Sequence, residues 1–291
     1  MSRIVVGVNG SEDADVALGW ALQEARYRGE PLEMIYADPE LTEIDSAVPS
    51  PPAVPPDEVE EGVQGGLERM VAAHDTTGVD VVTSLVPTGP TEALVTASLD
   101  SDLLVVGARG NGGLKERLLG SVSEHCVTHA ACPVAVIPRG RSEGREGPSE
   151  PRIVIGVDGS AGSLLALRWG LSEAALRKWP ALAVMAWSYL DQHHPGAGAR
   201  FDPSYDRAEA TAALSALVRQ VGSKLDVDVE KATPCELAHV ALIDSVFAQD
   251  LLVVGARGHG VLAGKMIGSV SLQCVHVSPC PIVVVRSRGP R

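Results

Sequence analysis

The chain has 291 residues, of which 45% are hydrophobic and 21% charged, and its formal net charge is −13. This length and composition allow two domains with separate cores, whereas the acidic balance argues against nucleic acid or an anionic membrane as a general partner, because both would be repelled. No apolar run approaches membrane-spanning length and the N-terminal stretch lacks the apolar core of a signal peptide, so we expect a soluble cytoplasmic protein.

The sequence contains two copies of one unit. The stretch RIVVGVNGS begins at Arg3, and RIVIGVDGS begins 149 residues later at Arg152. Repeats of this length indicate duplicated domains rather than solenoid units, which run to about 20 to 50 residues. We therefore predict domains at 1–140 and 151–291. The segment 141–150 is charged, contains glycine and lacks periodic apolar residues, which favours an exposed linker.

Strands are predicted to alternate with helices in each unit. In the first copy the strands are predicted at Ile4 to Val8, Leu32 to Ala37, Asp80 to Val86, Leu103 to Val106 and Val134 to Ile137. After the second strand, five prolines between Pro49 and Pro56 predict an irregular connection, which Tyr189 to Tyr205 replaces in the second copy. Alternating strands and helices indicate a parallel sheet with helices on both faces and right-handed crossovers.

A glycine-rich stretch follows the fourth strand in both copies. GARGNGGLKERLLGSVS begins at Gly107 and GARGHGVLAGKMIGSVS begins at Gly255, and both have the spacing Gly-x2-Gly-x9-Gly-Ser before a predicted helix. A strand, a glycine loop and a helix N-terminus bring free N–H groups and the positive end of the helix dipole together, which is typical of an anion site. We predict two phosphate-binding loops. With strand order 3-2-1-4-5, they would lie where the winding of the sheet reverses.

These motifs resemble the universal stress protein family. The resemblance covers nearly the whole chain as two tandem domains, and includes the VGVDGS-like first turn, the VVGARG strand end, the GSVS helix start and Cys-Pro before the last strand. It implies two tandem flavodoxin-like or Rossmann-like α/β domains, each with a five-stranded, mainly parallel sheet of order 3-2-1-4-5 and helices on both faces. It also implies that the protein binds ATP, with magnesium.

The resemblance further implies the residues of each nucleotide site, where glycine lets the backbone approach the ligand and a serine at the helix N-cap adds a hydroxyl. In the first copy they are Gly7, Val8, Asn9, Ala37, Gly107, Arg109, Gly110, Gly120, Ser121, Val122 and Ser123. In the second copy they are Gly156, Val157, Asp158, Ala186, Gly255, Arg257, Gly258, Gly268, Ser269, Val270 and Ser271. Because family members usually have aspartate where Asn9 stands, we rank the second site above the first and expect magnesium near Asp158.

Simpler interpretations remain open for several of these residues. The glycines could form tight turns alone, and Arg109 and Arg257 could be solvated loop charges. His125, Cys126, His129 and Cys132 have ligand types that zinc prefers, but the second copy keeps only the cysteines, as Cys274 and Cys280. We therefore predict no metal site from these clusters. The cysteines are interpreted as reduced, buried apolar residues.

Three functions are compatible with the sequence. The first is an ATP-binding regulatory protein of stress or dormancy, in which the nucleotide sets conformation or partner choice. The second is a slow ATPase or nucleotidyl-transfer enzyme, although no GxxxxGK[ST] loop and no recurring catalytic group is present. The third is a scaffold with vestigial sites. The resemblance also implies that the last strands, Val134 to Ile137 and Ile282 to Val285, pair in an internal pseudo-dimer, and a homodimer of chains is left open.

Overall fold

The structure is a computed structural model that describes residues 2–39, 56–110, 119–139, 150–187, 203–223, 225–258 and 267–287. The chain divides into two compact units, Met1–Arg139 and Gly140–Arg291. The predicted linker at 141–150 lies outside the described residues except for Glu150, so the proposed boundaries at 140 and 151 stay predictions.

Four parallel strand pairings join the five strands of the first unit in the order β3-β2-β1-β4-β5. The strands are β1 Ile4–Val8, β2 Leu32–Ala37, β3 Val81–Val86, β4 Leu103–Gly107 and β5 Val134–Ile137, and the helices are α1 Glu12–Arg28, α2 Pro56–Ala72, α3 Pro90–Ala97 and α4 Ser121–His129. The central strands form the core, since Ile4, Val5 and Leu104 are fully buried.

The second unit repeats this arrangement in the order β8-β7-β6-β9-β10, again with parallel pairings. Its strands are β6 Ile153–Gly156, β7 Ala181–Val184, β8 Val229–Ala232, β9 Leu251–Gly255 and β10 Ile282–Val285, and its helices are α5 Ala161–Arg177, α6 Pro203–Gly222, α7 Ala238–Ser245 and α8 Ser269–Val277. Both units therefore confirm the predicted α/β fold and the order 3-2-1-4-5, which brings the carboxyl ends of the first and fourth strands side by side.

Two prolines begin helices where the sequence predicts irregular structure. Pro56 is the first residue of α2 and Pro203 is the first residue of α6. Proline is favoured in the first helical turn because an N–H group there would have no acceptor within the helix, so its loss costs nothing, and because the φ of proline is already helical. The prediction of irregular structure is therefore wrong for the C-terminal end of each connection, where the helix has already begun. Residues 40–55 and 188–202 lie outside the described residues.

The first helix of each unit ends in a left-handed residue, but the residue type differs between the two. Gly29 follows α1 with a φ of 65° and its N–H donates to the Ala25 carbonyl. Lys178 follows α5 with a φ of 58° and its N–H donates to the carbonyls of Ala174 and Ala175. A side chain in this conformation costs about 1 kcal/mol, which glycine avoids. Backbone strain is therefore expected at Lys178.

We expect Lys178→Gly to raise the free energy of unfolding by about 0.5 kcal/mol, because relief of the backbone strain exceeds the loss of a weak attraction between the lysine charge and the helix end. The matched variant Gly29→Lys should lower it by about 1 kcal/mol. Urea unfolding in moderate salt, followed by circular dichroism, measures both changes. A decrease in stability for Lys178→Gly would contradict the strain at this position.

Candidate functional site

A cavity of about 480 Å³ lies at the carboxyl ends of β1 and β4 in the first unit. Its size is within the range of small-molecule sites. All eleven residues predicted for the first copy line it, namely Gly7, Val8, Asn9, Ala37, Gly107, Arg109, Gly110, Gly120, Ser121, Val122 and Ser123. Ala14, Ile35, Pro90, Leu94, Val106, Leu119 and Glu124 also line the cavity. Glu124 is a charged residue that the sequence reasoning missed.

Glycine at the end of the fourth strand allows the strand to touch the first turn of the first helix. A Cβ on Gly107 would lie 2.8 Å from the Asp13 carbonyl oxygen, and a Cβ on Gly255 would lie 2.5 Å from the Gly162 carbonyl carbon. These atoms belong to the backbone and cannot move aside as a flexible side chain can. The fourth strand therefore meets the helix without a side chain between them in both units.

The N-terminus of α4 lies against the same corner of the first unit. Gly120 is the N-cap, and its N–H donates to the Ala108 carbonyl at 2.8 Å. In the second unit Gly268 donates to the Ala256 carbonyl at 2.7 Å. A glycine N-cap offers no side-chain acceptor, so the N–H groups of the first turn lack an acceptor within the helix. Together with the positive end of the dipole, they are suited to an anion.

The buried serine in this turn forms a hydrogen bond with the end of the fourth strand. The Ser123 hydroxyl donates to the Gly107 carbonyl at 2.6 Å, and the Ser271 hydroxyl donates to the Gly255 carbonyl at 2.6 Å. The prediction that a serine occupies the N-cap is wrong, because the N-cap is Gly120 or Gly268 and the buried serine lies three residues further on. This hydrogen bond holds the start of the helix against the end of the strand. The backbone N–H groups of the first helical turn remain available to bind a ligand.

Asn9 and Asp158 form the same turn after the first strand of their units. Asn9 Oδ1 accepts the Ser11 N–H at 3.1 Å, and Asp158 Oδ1 accepts the Ser160 N–H at 2.9 Å. Each serine then caps the following helix, since Ser11 Oγ accepts the Ala14 N–H and Ser160 Oγ accepts the Ser163 N–H, both at 3.2 Å. Asparagine therefore preserves the shape of the turn. What the first copy lacks at this position is the negative charge.

The glycine loop passes close to this turn in both units. A Cβ on Gly110 would lie 3.0 Å from Asn9 Nδ2, and one on Gly258 would lie 2.5 Å from Asp158 Oδ2. The structure therefore brings the loop and the first-strand turn together, as the strand order predicts. Lys115 and Arg117 belong to the part of the loop outside the described residues.

The predicted residues of the second copy occupy the corresponding elements. Gly156 ends β6 and is followed by Val157 and Asp158, Ala186 follows β7, Gly255 ends β9 and is followed by Arg257 and Gly258, and Gly268, Ser269, Val270 and Ser271 form the start of α8. Arg109 and Arg257 are both exposed. An exposed arginine at the rim can reach an anionic ligand, so its position agrees with either the binding role or a solvated charge.

Four cysteines are buried and Cys235 is exposed. Burial raises the pKa of Cys126 and of Cys274 to about 12. The interpretation of the clustered cysteines as buried is therefore confirmed for Cys126, Cys132, Cys274 and Cys280. Cys235 lies after β8, in an isolated β-bridge with Trp187. Among the described residues no group of three or more His, Cys, Asp or Glu residues has a geometry suited to a metal ion.

The model of the universal stress protein family matches residues 1–138 and 151–286. The chain belongs to the universal stress protein family. A universal stress protein of Mycobacterium tuberculosis is 31% identical over 297 residues, with 97% of this chain and 96% of that protein covered. The two matched ranges make this chain a tandem universal stress protein. None of the helices in the described part combines the length and apolar character that crossing a bilayer requires.

Two solved structures of universal stress proteins from Archaeoglobus fulgidus are similar to this one. The first has a TM-score of 0.68 at 18% identity and covers 99% of this chain and 98% of that chain, which supports the fold. The second, solved in complex with dAMP, covers 47% of this chain and 97% of that chain, with a TM-score of 0.36 at 23% identity.

Thiol titration of the native protein tests the burial of the cysteines. We expect Cys235 alone to react with an aromatic disulfide reagent at pH 8, because the thiolate is the reactive form and burial raises the pKa of the Cys126, Cys274 and Cys280 thiols to about 12. All five cysteines should react in denaturant. The variant Cys235→Ser should leave the native protein unreactive. Fast reaction of a second thiol in the native state would contradict this arrangement.

Proposed function

We propose that this universal stress protein binds an adenine nucleotide, ATP with magnesium, in the first-unit cavity and at the equivalent place in the second unit. The bound nucleotide is proposed to set conformation or partner choice in a stress response. The observation that carries the proposal is the convergence of all eleven predicted first-copy residues on one cavity of about 480 Å³.

Several side chains that line the cavity are apolar. Ile35, Pro90 and Leu94 make one part of the lining apolar, which is suited to the faces of a purine base. A Cβ on Gly7 would lie 2.7 Å from Leu94 Cδ1, so this glycine leaves room for the leucine side chain at the cavity wall. Ala37 adds a small side chain at the end of β2. This part of the cavity is therefore proposed as the position of the base.

Other lining residues offer hydrogen-bond donors. Ser121, Val122 and Ser123 line the cavity from the first turn of α4, and Arg109 lies at its edge. Backbone N–H groups and a guanidinium both bind phosphate oxygens well. We propose this part as the phosphate position, and the equivalent turn of α8 with Arg257 as its counterpart.

The proposal includes magnesium because carboxylates and phosphate oxygens are the ligands that this ion prefers. Asp158 offers a carboxylate in the second site, and Glu124 lines the first cavity. Magnesium supplies charge neutralisation of the phosphates when it is bound. Because Asn9 keeps the turn but lacks the charge, we still rank the second site above the first. The internal pseudo-dimer through the last strands and a homodimer of chains stay predictions.

Isothermal titration calorimetry with ATP and magnesium tests the proposal. Ser121 and Ser269 are the exposed first residues of α4 and α8. We expect the double variant Ser121→Glu, Ser269→Glu to weaken ATP binding by at least about tenfold, because it puts a longer, charged side chain where phosphate is proposed to bind, which obstructs the phosphates as well as repelling them. Glutamate is tolerated in the first turn of a helix, so the fold should be preserved.

The matched control is the double variant His125→Glu, Gln273→Glu. It adds the same charges four residues further along the same helices, at exposed positions, and should bind ATP nearly as the parent protein does. Failure of the parent to bind any adenine nucleotide would refute the proposal. Equal weakening by the control pair would show that net charge, and not the helix start, governs binding.

A further inference from the structure

Glu124 introduces a negative charge beside the turn that is suited to an anion. It lies one residue beyond Ser123, and its backbone N–H donates to the Gly120 carbonyl at 2.9 Å, so the helix fixes its position. Its side chain is exposed and lines the cavity together with Ser121 and Val122. A carboxylate therefore stands at the part of the cavity where phosphates are proposed to bind.

The described side chains that line the cavity bring no net positive charge to this place. Among the lining residues that the structure describes, the ionisable side chains are Arg109 and Glu124, which carry opposite charges. A triphosphate carries several negative charges, and the partial charges of the helix end compensate only part of them. The described side chains therefore neutralise metal-free ATP poorly, while a divalent cation would be attracted by both the carboxylate and the phosphates.

The second copy has no carboxylate at the same position. Leu272 follows Ser271 as Glu124 follows Ser123, and its backbone N–H donates to the Gly268 carbonyl at 3.0 Å. At the end of the first strand the difference is reversed, with Asn9 in the first copy and Asp158 in the second. At these two positions the copies thus differ in which residue carries the negative charge, Glu124 in the first copy and Asp158 in the second.

We propose that Glu124 is a specificity-determining residue that makes triphosphate binding at the first site depend on a divalent cation. Leu272 leaves the start of α8 without this requirement. The inference rests on the proposed function, because it concerns the charge form of the nucleotide that the same site accepts. The carboxylate repels the phosphates of free ATP, and a divalent cation between the two groups removes that repulsion. AMP, with a single phosphate, is repelled less.

An acidic residue in the first turns of a helix also stabilises the helix dipole. That role concerns folding alone and makes no distinction between ATP and AMP, or between metal-free and metal-bound ATP. The ratio of the dissociation constants for metal-free and magnesium-bound ATP therefore separates selection from stabilisation. Because Glu124 is exposed, its repulsion is screened by salt and is measured best at low ionic strength.

The first test uses the Ser269→Glu background, in which the second site is weakened and nucleotide binding is measured mainly at the first site. Calorimetry gives the dissociation constants of ATP and AMP in EDTA and in excess magnesium, with and without Glu124→Gln. We expect Glu124→Gln to lower the dissociation constant of metal-free ATP by about three- to tenfold, and to reduce the ratio of the metal-free to the magnesium-bound dissociation constant by a similar factor. AMP should change by less than ATP does.

The reciprocal test uses the Ser121→Glu background and the second site. Leu272→Glu should raise the dissociation constant of metal-free ATP by about three- to tenfold, and thereby make ATP binding depend more strongly on magnesium. Leu272→Gln has a side chain of the same length without the charge, and should leave the dependence as in the parent. Thermal unfolding of every variant shows whether the fold is retained.

The outcomes separate the two proposals. An unchanged magnesium dependence in Glu124→Gln, with nucleotide still bound, overturns the role of Glu124 and leaves nucleotide binding intact. Equal weakening of ATP and AMP also overturns it, because the residue would then support the fold. Absence of binding of both nucleotides to the parent protein overturns the proposed function itself and the inference with it.

Discussion

Backbone contact between the end of the fourth strand and the first turn of the first helix determines the geometry of the site corner. Gly107 meets the Asp13 backbone in the first unit, and Gly255 meets the Gly162 backbone in the second. The carbonyl of each strand-end glycine also accepts the hydroxyl of Ser123 or Ser271. One residue therefore fixes the strand, the first helix and the start of the fourth helix relative to each other, and the position of the cavity follows from it.

Features that depend on backbone geometry could be predicted from the sequence. The glycine spacing records where the chain must pass close to other backbone, so it predicted the residues at the corner in both copies. The alternation of strands and helices likewise predicted the sheet order, because parallel strands with right-handed crossovers leave few arrangements. These patterns survive in sequence because side chains at Gly107 or Gly255 would collide with backbone.

Features that depend on the path of a single side chain could not be predicted as well. A serine side chain caps a helix only from the N-cap position. Ser123 lies three residues after the N-cap, and its hydroxyl donates to the Gly107 carbonyl instead. A proline disrupts the interior of a helix but is favoured in its first turn, so Pro56 could be interpreted correctly only once the start of α2 was known. For Glu124 the sequence does carry a signal, because the copies differ there between an acid and Leu272, but the motif of shared glycines and serines does not include this position.

Comparison of the two units separates shape from charge. Asn9 and Asp158 close the same turn through Oδ1, and the helix starts at Gly120 and Gly268 make the same backbone hydrogen bond. The substitutions between the copies at these sites alter charge while the local hydrogen bonds persist. At these positions the two corners therefore differ in charge and share their local hydrogen bonds. Electrostatic interactions respond to metal ions and salt, so a charge difference of this kind is the feature through which the two proposed nucleotide sites would respond differently to the divalent cation concentration.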